Sequence, residues 1–173
     1  LLPLLTGMRS YRTSSYMILD AHTQRNLELL QGTRSNTLQG SLLNVLDRTI
    51  TPMGARHLRK TITQPLLDLS ELSARLAAVE EFYQSPAMRS RITSHLQGLG
   101  DLERIAGRVR QGSAVRNEVL GLGNYLHMMP ILQEILAGCE SALLQSLSED
   151  LDPCSDVTDL RLALIRFLAT ISK

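Results

Sequence analysis

From Asp68 onward, apolar side chains return every third or fourth residue, in runs that open on a helix-capping residue and mostly close on Gly or Pro. That period confines most of the chain to packed helices, because a half-buried strand needs alternation at every second position. Asp68 is followed three residues later by Glu71, the capping-box spacing. Leu72, Leu76, Val79 and Phe82/Tyr83 then make one apolar stripe, with Glu71, Arg75 and Glu81 elsewhere on the surface. Ser85-Pro86 supplies an N-cap and first turn for a helix to about Gln97. Gly98-Leu99-Gly100 interrupts it, and Asp101 caps a helix that carries Leu102, Ile105 and Val109 as far as Gly112. A longer helix is predicted from near Arg116, turning Val119, Leu122, Leu126 and Met129 inward. Pro130 lacks a backbone donor and predicts a kink or break near Met128, with Ile131 to Ala137 as a restart. Behind Ser155 or Asp156, a last run of Val157, Leu160, Leu164, Phe167/Leu168 and Ile171 forms an apolar seam without a polar stop signal.

Shorter units fill the first sixty residues. Tyr16 to Leu19 reads as a brief strand, and Asp20 caps a helix through Leu27, Leu29 and Leu30. Thr33 to Asn36 is a polar turn, Ser41 to Leu46 a short apolar helix, and Thr51-Pro52 opens a helix through Ala55, Leu58 and Ile62 that Pro65 ends. With four Tyr, two Phe and no Trp, the core falls to Leu, Ile, Val, Ala and Met, which disfavours a sandwich or barrel. The expected fold is an all-α multi-helix bundle forming one domain over residues 1–173.

Charge and chemistry exclude more than they assign. Eighteen Lys and Arg against seventeen Asp and Glu give +1 overall, too small a surplus for a surface devoted to a phosphate backbone. The balance is uneven, +5 over residues 1–60 and −4 over 61–173, a gradient suited to orienting the piece among charged neighbours. Cys139 and Cys154 lack C-x-x-C spacing and form no ligand cluster with His22, His57, His95 or His127, so the expectation is no metal site and reduced thiols in a cytoplasmic protein. The opening LLPLLTGMRS lacks a basic leader and is interrupted by Pro3 and Gly7, fitting neither a signal peptide nor a membrane span. Beginning at Leu1, the chain reads as a fragment whose final seam, left bare, would promote self-association.

No nucleophile elbow, Cys–His pair in a recognisable context or phosphate-binding loop occurs, so no catalytic or cofactor-binding residue is assigned. Gly121-Leu122-Gly123 has no lysine for phosphates and reads as close helix packing or a local weakness in the helix. Asp101 and Glu103 read as favourable charges at a helix start, pointing in different directions. Arg104 and Arg108 would hold either a phosphate or, as preferred, acidic groups on neighbouring helices. Arg56, His57, Arg59 and Lys60 are the densest basic run, too short and too poor in aromatics to specify DNA recognition.

Two strings carry a resemblance. YMILDAHTQRNLELLQG and GSLLNVLDRTITPMGARHLRKTITQPLLD resemble the start of the core domain of the MutS family of DNA mismatch-repair proteins. Asp20, Thr23, Asn26, Leu27 and Glu28 fit the D-x-x-T-x-x-N-L-E pattern, and Thr51, Gly54 and Arg56 fit T-x-x-G-x-R. RLAAVEEF and DLERIAGR follow in order. Beside that match, physical roles are structural: Asp20 or Thr23 as helix cap, Asn26 and Glu28 as polar locks between elements, Gly54 for tight approach and Arg56 bridging to a carboxylate.

The resemblance implies a noncatalytic segment with lever helices, preceding the inserted clamp. It would couple mismatch recognition and the DNA clamp to a distant ATPase. It further implies that ATP and magnesium bind only in the parent's ATPase domain, that partners are the connector, clamp and ATPase domains and mismatched double-stranded DNA, and that the parent is a homodimer without membrane attachment. An independent helical interaction adaptor is the competing reading, and a helical enzyme with an unfamiliar site comes third.

Overall fold

The computed structural model describes residues 15–34 and 36–151, among which eight α-helices form and no strand does. They are α1 (Ala21–Asn26), α2 (Leu42–Leu46), α3 (Pro52–Thr63), α4 (Leu69–Gln84), α5 (Pro86–Leu96), α6 (Leu102–Arg110), α7 (Arg116–Ala137) and α8 (Ala142–Asp150). The all-α expectation holds. None of these helices is long and apolar enough to cross a membrane. The final seam from Val157 to Ile171 lies outside the described residues.

The chain groups into two units, one from the stretches ending at Asp47 and Leu72, the other from Arg48–His57 and Ser73 onward. In the first, Asp20 caps α1 by accepting from the Thr23 amide at 2.7 Å. The helix stops at Asn26, short of the predicted Leu30, because Glu28 turns to φ 50°. The Glu28 amide bonds the Arg25 carbonyl and the Leu29 amide the Gln24 carbonyl, a Schellman ending built without glycine. This turn buries Leu29 and leaves Leu27 exposed. Leu42 and Leu43 then donate to the Glu28 and Leu29 carbonyls, seating α2 beside the end of α1.

The strand expected at Tyr16 to Leu19 is a single antiparallel bridge, Tyr16 to Leu66, flanked by bonds from Met17 to the Pro65 carbonyl and from Leu67 to the Ser15 carbonyl. It cannot lengthen, since Pro65 has no donor and both partners run at once into capping aspartates, Asp20 and Asp68.

In the second unit, α7 packs against α5, α6 and, most extensively, α8. Ala78, Cys139 and Leu144 form a buried cluster, with Phe82, Met88, Leu136 and Leu143 packed around it. Helix starts at Ser85 and Asp101 fall as predicted, and α6 closes on Gly112 at φ 69°. Two expectations are corrected, the break near Met128 and the inward face of α4. α7 runs unbroken through Pro130, because buried Leu132 and Ile135 hold the turns beyond it in helical register despite one lost donor. Within the stripe predicted on α4, Phe82 packs against the core beside Ala78, while Leu76, Val79 and Tyr83 are exposed. Helix α8 was not anticipated, although Ser141 followed by Leu143, Leu144 and Leu147 is a capped apolar period.

Candidate functional site

The second unit is held by polar clasps between segments far apart in the chain, and the most developed centres on Arg56. Thr51 opens α3 by accepting from the Gly54 amide through its hydroxyl at 3.1 Å. A Cβ at Gly54 would stand 3.0 Å from that hydroxyl and 3.5 Å from Thr49 Cβ, so glycine admits the close approach inferred from the sequence. One residue beyond Ala55, the Arg56 guanidinium forks onto α6. Nη1 donates to Asp101 Oδ2, while Nη2 donates to Asp101 Oδ1 at 2.9 Å and to Glu103 Oε2 at 2.8 Å. The predicted bridge from Arg56 to a carboxylate is therefore present.

Asp101 performs three tasks in this site. It receives the fork, caps α6 by accepting from the Arg104 amide at 3.2 Å, and pairs with Arg104 Nε at 3.3 Å. Its side chain is 15% exposed, whereas those of Glu103 and Arg104 are 80% and 75% exposed. Asp101 is thus the partly sheltered anchor and the other two are its solvated rim. The hydrogen bonds from Arg56 are the main cause holding the Asp101 carboxyl below the ordinary aspartate range, and the paired carboxylates push the Arg56 guanidinium further above its already high range. The expectation that Asp101 and Glu103 point apart is corrected, because an arginine from another helix draws both together.

Further clasps continue the chain of contacts. Arg108 on α6 pairs with Glu118 on α7, whose other carboxylate oxygen accepts from the Val115 amide at 3.2 Å and closes the first turn. This fulfils the packing role expected of Arg108, while Arg104 pairs within its own helix. Tyr125 on α7 accepts from the Gly100 amide at 2.9 Å and donates to the Gly98 carbonyl at 3.3 Å, fixing the break between α5 and α6. A Cβ at Gly100 would fall 2.8 Å from that phenol oxygen. A Cβ at Gly121 would lie 3.7 Å from the Tyr125 ring, one turn away on the same helix.

Glu81, read from the sequence as a surface residue of α4, caps α8 from outside. Its carboxylate accepts from the amides of Glu140 and Ser141 at 2.7 and 2.8 Å, and these bonds lower its pKa. Burial, with the Glu81 charge second, raises the pKa of the neighbouring Cys139 thiol, whose sulfur sits 3.6 Å from Met88 Sδ. No local motif announces Glu81, because its partners are 59 and 60 residues away.

In the first unit, Glu28 locks a turn by accepting from the Thr33 amide at 2.7 Å and from the Thr33 hydroxyl. Asn26 does not join two elements and instead bonds His22 on its own helix at 2.9 Å. The basic run divides: Arg56 enters the clasp, and His57, Arg59 and Lys60 are exposed. Among the described residues no group of three or more His, Cys, Asp or Glu is placed to hold a metal. What the assembled side chains do is bind one helix to another.

The family model described as MutS domain III matches residues 22–170. The chain is 44% identical over 151 residues to the DNA mismatch repair protein MutS of Synechococcus sp., covering 87% of this chain and 17% of that protein. It is 40% identical over 156 residues to the DNA mismatch repair protein MutS of Lachnoclostridium phytofermentans, covering 90% and 17%, and likewise to that of Pelotomaculum thermopropionicum, covering 90% and 18%. The chain therefore spans under a fifth of the length of these relatives.

Proposed function

The chain belongs to the MutS domain III family, and from that premise we propose that it is the noncatalytic core segment of a DNA mismatch-repair protein. Its packed helices carry the state of an ATPase elsewhere in the polypeptide to the parts that hold mispaired DNA. The observation that supports this reading is the Arg56 fork, which joins the start of α3 to the start of α6 through charge-assisted bonds. Coupling over distance needs elements that move as bodies, and an arginine shared by two carboxylates resists sliding better than aliphatic contacts do. On this reading ATP and magnesium bind outside these residues. The partners are connector, clamp and ATPase domains, mismatched duplex and a second subunit, and the setting is the cytoplasm.

The test replaces the matching 17% of the Synechococcus sp. relative with this chain, with and without Arg56→Ala. ATP turnover is then followed with perfect and mismatched duplex. Mismatch-dependent turnover that survives the exchange and is lost with Arg56→Ala, while turnover without DNA persists, is the expected result. Turnover by the isolated chain, or an Arg56→Ala chimera that folds and responds to mismatches normally, would overturn it.

A further inference from the structure

Four large apolar side chains of α4 stand in solvent: Leu69, Leu76, Val79 and Tyr83 are 78%, 68%, 63% and 71% exposed, and Leu72 among them is half-buried. These five are spaced three, four, three and four residues apart, the a and d positions of a two-stranded coiled coil. Ala78 and Phe82 lie on another side of the helix, packed with Cys139 and Leu144. Charge flanks the exposed seam. With Leu69, Leu76 and Tyr83 at a positions, Arg75 takes a g position on one flank and Glu80 an e position on the other. No ion pair among the described residues uses either of them. They are five residues apart, the separation at which g of one parallel strand meets e of the following heptad on its partner.

We propose that α4 is a self-association surface, through which two copies of this chain pair as a parallel two-stranded coil. Each apolar residue of the seam then meets its own counterpart along a twofold axis, and Arg75 of each copy reaches Glu80 of the other. Charge selects both the occupant and the direction. An unrelated helix has no reason to match opposite charges at this separation, whereas identical strands satisfy two such pairs at once by symmetry. Run antiparallel about Leu76, the same face sets Glu80 beside Ser73 and Arg75 beside its own copy, so both pairs are lost and like charges are opposed.

Size sets the strength. The 16 residues of α4 make a rod ~24 Å long. Five side chains from each copy reach only the low end of the roughly 1,200–2,000 Å² that stable interfaces bury. Pairing is therefore reversible, with a Kd of about 10–100 μM.

Sedimentation equilibrium of the full chain, at concentrations spanning that Kd, tests the surface. The expected result is a monomer–dimer equilibrium that Leu76→Glu weakens at least about tenfold, with circular dichroism unchanged because the position is exposed. Arg75→Glu and Glu80→Arg should each weaken pairing about five- to tenfold, since each sets like charges against one another in both symmetric pairs. An equimolar mixture of these two variants should pair at least as well as the original chain, because each supplies the charge the other lacks. A chain that stays monomeric at about ten times that Kd, or a dimer indifferent to Leu76→Glu, would overturn the proposal. A mixture no tighter than its components would overturn the parallel pairing and its ion pairs.

Discussion

Arg56 on α3 and Asp101 at the start of α6 stand 45 residues apart in sequence and are joined by both guanidinium amino groups, which meet the two oxygens of one carboxylate. Such a planar fork fixes direction as well as distance, which a single-point cation cannot do.

Arg56→Lys is accordingly expected to keep a charge beside Asp101 but lose the bidentate geometry and the link to Glu103. Thermal denaturation should rank the proteins wild type, then Lys, then Ala, with the Ala variant lowest because Asp101 is only 15% exposed and loses its main counter-charge. A lysine variant melting with the wild type would show that orientation contributes nothing here.

The acid limb of stability should depend on Glu81. Its carboxyl pKa is lower in the folded chain than its ordinary value of 4.5, because it accepts two backbone amides. A depressed folded pKa means that the unfolded chain takes up the proton first. The contribution is therefore complete above about pH 4.5 and is lost as pH falls through the lower folded value. Glu81→Gln should flatten denaturant midpoints measured from pH 6 down to pH 3, whereas a slope identical to wild type would assign the acid sensitivity elsewhere.

At Gly100 a methyl group would meet the Tyr125 phenol at 2.8 Å while the amide beside it donates to the same oxygen. Gly100→Ala should cost about 1–2 kcal/mol, either by moving the ring or by breaking that bond. Combined with Tyr125→Phe the losses should be less than additive, since both act on one contact. Strict additivity in urea titrations would contradict the clash.

Leu144 is 4% exposed and packs in the cluster with Ala78 and Cys139, whereas Leu147 on the same helix is 43% exposed. Leu144→Ala should therefore destabilise by about 2–4 kcal/mol, and Leu147→Ala by roughly 1 kcal/mol or less. Equal losses from the two would show that α8 does not present the face described.

Helix beginnings were legible in the sequence because capping is a local transaction. Asp20, Ser41, Asp68 and Asp101 each accept from an amide three residues on, so four consecutive residues contain the whole interaction. Helix ends were less legible, as at Glu28, where a residue other than glycine takes the left-handed turn. The resemblance to the family rested on short motifs of the same local kind. Of the candidate site, Arg56 and its need for a carboxylate were readable, but the carboxylate was not. Glu81 was missed because a glutamate on a helix surface looks the same whether or not another helix ends against it.

The sequence by itself determined where most helices begin, that they carry aliphatic stripes, and which family pattern they follow, since these depend on neighbours within one or two turns. Only the tertiary structure decided that Ala78 and Phe82 pack on the core while Leu76, Val79 and Tyr83 of the same helix do not, that α7 passes through Pro130, and that Arg56 and Glu81 each clasp a distant helix end. Those outcomes depend on which surfaces meet after long loops close, and the free energy of that choice is shared among residues that no local window contains.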